Sequence, residues 1–143
     1  WSRLEGLGIS RERVDLTYSQ PHWLAYQDID ITLDCWPHNA GTTTIESLWM
    51  GVPVLSKTDR PSMGCVGASI LRPLELEDWV VQDEKAYVSK AVAFASNLTA
   101  LGQLRGSLRQ RLEQSSLLNA ATYIEKLEAA YRQMLTEKGY TTL

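Results

Sequence analysis

The residues best placed to do chemistry are Gly41, Thr42, Thr43 and Thr44, followed closely by Glu46. Three threonines after a glycine offer hydroxyl donors. A helix beginning there adds free backbone N–H groups and the positive end of its dipole. That combination takes a phosphate group. Thr43-x-x-Glu46 also has the spacing of a capping box, in which the same side chains would satisfy the helix's own orphan N–H groups. His22 stands earlier in the chain beside Trp23 and, on its own, reads as a packed surface side chain. Asp28 and Asp30 imitate a paired-aspartate metal motif. They straddle the entry to an apolar strand, however, rather than sharing a loop that could face both carboxylates to one cation.

The elements around these residues are legible. Residues 29–33 are β-branched and apolar, as a buried parallel strand should be. Asp34 ends that strand, where it could orient Asn39 or Gly41. A loop with Pro37, His38, Asn39, Ala40 and Gly41 follows, and no role can be given to His38. Ile45, Leu48 and Trp49 then fall at helical spacing until Gly51 and Pro53 stop the helix. Residues 52–55 begin a second apolar strand. In an open parallel sheet, ligands bind where loops leave the carboxyl ends of the strands.

Upstream, residues 1–9 read as the tail of a helix, 13–18 as a short alternating strand, and Pro21 as the first turn of a short helix. Downstream, 57–64 is polar and turn-rich, a surface loop. Residues 65–71 suggest a small-residue helix packed closely on the sheet, and 79–81 a last short strand. Three apolar stripes follow: Val88, Ala91, Val92 and Ala95; Leu101, Leu104, Leu108 and Leu112; and Ile124, Leu127, Tyr131 and Met134. Asp83 and Asn119 stand where N-caps belong.

The 143 residues amount to one domain, and the formal net charge of −3 argues against a broad basic surface for nucleic acid. No apolar run approaches a membrane span and no signal peptide opens the chain, so the expected location is cytoplasmic. The two cysteines, Cys35 and Cys65, form no CxxC pair and read as packing thiols. A first residue of Trp1 rather than methionine implies a processed start or a piece of something longer.

The central run also resembles a known family. Asp30, Leu33, Asp34 and Pro37, then Gly-Thr-Thr-Thr-x-Glu-Ser-Leu-Trp-Met-Gly-Val-Pro over 41–53, resemble the C-terminal half of O-GlcNAc transferases and SPINDLY-type O-fucosyltransferases. These are nucleotide-sugar glycosyltransferases with two Rossmann-like domains. The likeness continues through 66–71 and returns at Leu127, Glu128, Tyr131 and Met134.

The resemblance implies an α/β fold: an incomplete Rossmann-like parallel sheet, the C-terminal domain of a GT-B enzyme without its first strands, carrying a C-terminal helical layer. It places Thr42 and Thr43 on the donor's diphosphate and Glu46 where an acid holds the ribose hydroxyls. His22 falls where a histidine lies against the nucleotide. Ser19 stands where the O-GlcNAc enzymes carry a lysine. The implied reaction transfers a sugar from UDP-GlcNAc or GDP-fucose to a protein Ser or Thr, with inversion and without a metal or other cofactor. The implied partners are an acceptor protein, upstream tetratricopeptide repeats and an N-terminal catalytic domain.

Two other readings stand beside it: a stand-alone nucleotide-binding module, and a catalytically dead protein-interaction surface. If the sheet is wound in the order 3-2-1-4-5-6, residues 14–18 are strand 3, with strands 4, 5 and 6 at 29–33, 52–55 and 79–81. Strand 3 then lacks a neighbour. The isolated chain is expected either to self-associate or to leave residues 1 to about 20 displaced.

Overall fold

The computed structural model describes residues 1–140. Three short parallel strands, β1 (Thr32–Leu33), β2 (Val54–Lys57) and β3 (Val80–Val81), lie in that spatial order. Thr32 pairs with Val54, and Ser56 with Val80. The helices are α1 (Ser2–Gly6), α2 (Thr42–Trp49), α3 (Val66–Leu71), α4 (Glu84–Ala95), α5 (Leu98–Gln114) and α6 (Ala120–Glu137). The fold is α/β.

The core forms where apolar strand residues meet the helices. Val54 and Leu55 of β2 pack with Leu48 of α2, Leu71 of α3, Tyr87 of α4, and Leu101, Leu108 and Leu112 of α5. The second apolar stripe is therefore a core stripe. α3 approaches β2 so closely that a Cβ at Gly67 would overlap the Ser56 side chain and lie 2.8 Å from Asp34 Oδ2. Asp83 and Asn119 are N-caps, accepting from the Ala86 N–H at 2.8 Å and the Thr122 N–H at 3.0 Å. Asn97, which the sequence reading passed over, accepts from the Ala100 N–H at 3.1 Å and separates α4 from α5.

Several expectations need correction. Residues 14–18 are not a strand. A 3₁₀ turn at Arg11–Arg13 precedes them, and Leu16 and Tyr18 are 62% and 83% exposed. Alternation proposes a strand, but only a neighbour can hold one, and none of the described strands lies beside it. Residues 14–18 therefore run as extended chain without a strand partner among the described residues. Of 29–33, only Thr32 and Leu33 pair. The carbonyls of Ile29 and Asp30 instead accept from Arg105 Nη1 at 2.7 and 3.0 Å.

The second strand starts later than expected and runs further. Gly51, at φ +77°, and the Val52 N–H, bonded to Ser47 O at 2.8 Å, still belong to the turn leaving α2. Lys57, expected in a surface loop, is the last residue of β2 and is buried.

The stripe at Val88, Ala91, Val92 and Ala95 is not the buried face of α4. Val88 and Val92 are exposed, and Tyr87 is the buried residue. Ala91, Val92 and Ala95 instead line a shallow groove with Ile31 and Leu33 beside the outer edge of β1. The third stripe lies on α6, which has no buried residue. Periodicity marks a helix as amphipathic without naming what covers it. Cys65 is half-buried, but Cys35 is exposed rather than a packing thiol, its Sγ bonding His38 O at 2.9 Å.

Candidate functional site

The site is built on the loop from the carboxyl end of β1 to the start of α2. Asp34 is buried and does orient this loop, one residue away from either expected partner: Oδ1 accepts the Ala40 N–H at 2.9 Å. Its Oδ2 accepts the Ser56 hydroxyl at 2.6 Å, and its carbonyl accepts the Tyr87 hydroxyl at 2.8 Å. Burial, then the neighbouring Asp34 charge, pushes the Tyr87 hydroxyl up to about 12. Asn39 is also buried. Its Nδ2 donates to Cys35 O at 2.9 Å and Lys57 O at 3.1 Å, and its N–H donates to Met63 O at 3.0 Å. The loop is tied to the sheet and to the loop after β2.

Gly41 is the N-cap of α2, and no side chain caps that helix. Thr42, Thr43 and Thr44 are therefore its first three residues, and Glu46 lies too far along to close a capping box on Gly41. Thr44 turns inward, buried, and donates to Ala40 O at 2.9 Å. Thr42 and Thr43 face solvent. The first-turn N–H groups, the dipole end and two exposed hydroxyls converge at the carboxyl edge of the sheet.

The 3₁₀ turn His22–Asp28 packs against this helix. The Tyr26 hydroxyl donates to Thr43 O at 3.4 Å, and burial followed by the Glu46 charge raises its pKa. His22 Nε2 lies 3.4 Å from Glu46 Oε2. These two residues share a groove of about 590 Å³ with Trp23, Ile45, Trp49 and Leu118. His22 also borders a groove of about 570 Å³ along 18–22 that includes Ser19. Neither groove is lined by a lysine or arginine, although the Arg109 guanidinium stacks 4.8 Å from the ring centre of Trp49, which lines the larger one. The structure thus joins His22 to Glu46 and places Gly41, Thr42 and Thr43 on the adjoining helix terminus, outside the larger groove.

Asp28 is the last residue of the 3₁₀ turn, whereas Asp30 lies just before β1. Asp30 is exposed and 3.5 Å from Arg105. Among the described residues no group of three His, Cys, Asp or Glu side chains is gathered for a metal. No helix among them is long and apolar enough to cross a membrane. α5 supplies contacts that no motif revealed. Arg109 donates to Trp49 O at 3.1 Å, where a cation also suits the C-terminal dipole of α2. The burial of Asn39 and Lys57 was not legible in the sequence, because it depends on where β2 ends.

The profile of glycosyl transferase family 41 matches residues 7–127. The chain belongs to that family. Among family 41 relatives, it is 39% identical over 137 residues to the tomato (Solanum lycopersicum) protein named "Probable UDP-N-acetylglucosamine--peptide N-acetylglucosaminyltransferase SPINDLY", covering 93% of this chain and 15% of that one. The protein of the same name from Arabidopsis thaliana is 40% identical over 135 residues, covering 92% and 15%. A mutant O-GlcNAc transferase of Thermobaculum terrenum superposes with a TM-score of 0.80 at 34% identity, over 93% of this chain and 27% of that one. The chain spans about 15% of the length of these curated relatives.

Proposed function

We propose that this chain supplies the donor-diphosphate half of a protein O-glycosyltransferase site, completed by other parts of the parent protein. The supporting observation is the uncapped N-terminus of α2 at the carboxyl end of β1, with Thr42 and Thr43 exposed and Thr44 turned inward. The diphosphate of UDP-GlcNAc or GDP-fucose would sit on Gly41, Thr42 and Thr43. Glu46, steadied by His22, would accept hydrogen bonds from the ribose hydroxyls, and His22 would lie against the nucleotide.

In the proposed inverting displacement, a protein Ser or Thr hydroxyl attacks the anomeric carbon as the bond to the diphosphate oxygen breaks. Negative charge grows on the leaving oxygen. Fixed N–H and hydroxyl donors of this chain stabilise that charge, together with a basic residue supplied from upstream in the parent protein. Activation of the acceptor hydroxyl lies outside this chain in that reading, as do the tetratricopeptide repeats that select the acceptor. No metal is required.

Calorimetric titration of UDP and GDP into the full-length parent tests the reading. Thr43→Ala removes one hydroxyl bond to a charged group, a loss of roughly ten- to a hundred-fold in affinity. Because Thr43 caps nothing, its melting temperature should stay near that of the wild type. Thr44→Ala should instead lower stability. Unchanged affinity in the Thr43 variant would remove the diphosphate from this helix.

A further inference from the structure

We propose that Trp36, Lys57 and Asp59 form the surface that reads the donor's sugar; this rests on the donor-site reading above. Lys57 closes β2, the middle strand, at the carboxyl edge of the sheet, and is only 9% exposed. A cation buried to that degree is costly unless its donors are used. Its Nζ lies 3.5 Å from Asp59 Oδ2 and 5.4 Å from the centre of the Trp36 ring. An ammonium has three donors, and Asp59 at that distance engages one at most.

The three residues are held in place. Asn39 bridges the two loops by bonding Cys35 O and Lys57 O, and its buried Oδ1 is left without a partner. The Asp59 N–H donates to Gly64 O at 2.7 Å, and a Cβ on Gly64 would come within 2.8 Å of Asp59 Cβ and 3.2 Å of Pro37 O. The Arg60 N–H donates to Asp59 Oδ1 at 2.8 Å. Trp36 and Gly41 lie on one loop, which Asn39 ties to β2 through Cys35 O and Lys57 O, and Asp34 ties through the Ala40 N–H.

Charge decides which part of the ligand belongs here. The helix terminus at Gly41 attracts an anion. The Lys57–Asp59 pair is neutral as a unit, and the Arg60 charge beside Asp59 is exposed to solvent, so this surface gains less from a phosphate than the helix terminus does. It presents N–H donors and carboxylate acceptors beside an indole that is 38% exposed. An aromatic plane flanked by a donor and an acceptor suits an uncharged ring bearing C–H groups on its face and hydroxyls on its rim.

The test compares a sugar nucleotide with its bare nucleotide in the full-length parent: UDP-N-acetylglucosamine against UDP, and GDP-fucose against GDP. The readout is the ratio of the two dissociation constants, followed through Lys57→Met, Asp59→Asn and Trp36→Phe. For the pair that the wild type binds, the ratio should rise about tenfold in the Lys57 and Asp59 variants, as for one lost charged hydrogen bond, while the bare nucleotide binds as before. Trp36→Phe keeps an aromatic plane and should move the ratio less. An unchanged ratio would overturn the proposal while leaving the diphosphate site standing. A parallel loss for both ligands would also overturn it, making these residues loop scaffolding. A wild type that binds neither pair would overturn the donor-site reading, and this one with it.

Discussion

The Asp34 carboxylate accepts the Ser56 hydroxyl at 2.6 Å, locking the end of β1 to β2 directly beneath Gly67 of α3. Its other oxygen holds Ala40, the residue before the N-cap of α2. One buried carboxylate therefore sets both the sheet edge and the direction of the helix that is proposed to meet the diphosphate.

Asp34→Ala leaves a buried hydroxyl and a half-buried N–H unpaired, at roughly 1–3 kcal/mol for each group. Asp34→Asn can still accept from Ala40 and donate to Ser56, whose hydroxyl can turn. Urea unfolding should rank wild type above Asn above Ala. Equal midpoints for Asn and Ala would show that the carboxylate does not bridge these groups.

Gly67 and Gly102 should respond in opposite directions to alanine. At Gly67 the new methyl meets Ser56 and Asp34, and overpacking of this kind costs roughly 1–3 kcal/mol. At Gly102, inside α5, nothing lies within 4 Å of the added carbon. Helix propensity there favours alanine by roughly 0.5–1 kcal/mol. Thermal melts of the two variants decide it, and a neutral Gly67→Ala would contradict the close approach of α3 to β2.

This contrast shows what the sequence could convey. Small residues in 65–71 announced a close approach, and the Leu101, Leu104, Leu108 and Leu112 spacing announced a core helix, because in both cases the partner surface lies within the chain. Residues 14–18 have the alternation of a strand but no described neighbour, so the pattern alone could not make them one. Val88 and Val92 failed for a related reason: helical spacing identifies a face, not its cover. For the candidate site, Gly41 to Thr44 was legible from residue type, and Thr44's inward turn was not. Lys57 was hidden because an apolar strand ending in Ser-Lys gives no sign of continuing two residues further.

Tyr87 makes stability depend on alkaline pH. Its folded pKa is raised from 10.0 to about 12, so the neutral phenol is the form that the fold prefers. That contribution is complete below pH 10 and is lost as pH rises toward 12. Tyr87→Phe gives up the bond to Asp34 O, about 1 kcal/mol at neutral pH, and with it this sensitivity. A rise of about two pH units amounts to more than about 2 kcal/mol by pH 12, so the wild-type melting temperature should start above that of the variant at pH 8 and fall below it before pH 12. Parallel curves would mean that Tyr87 titrates as an exposed tyrosine.

The outer edge of β1 gives the last prediction. The Thr32 N–H donates to Pro53 O at 2.9 Å and the Asp34 N–H to Leu55 O at 3.0 Å. In a parallel ladder the residue between them directs its N–H to the other side, where β1 has no neighbour among the described residues. Leu33 is also 57% exposed, above the groove formed with Ala91, Val92 and Ala95. In residues 1–143 alone, amide exchange should be slow at Thr32 and Asp34 and fast at Leu33 and at 14–18. If another strand adds to this edge, Leu33 becomes as slow as its neighbours. Raising the protein concentration then separates the sources. Protection at Leu33 that grows with concentration identifies a second copy. Protection that is independent of concentration, together with slowing at 14–18, would mean that the chain's own N-terminal segment pairs with β1, against the arrangement described here.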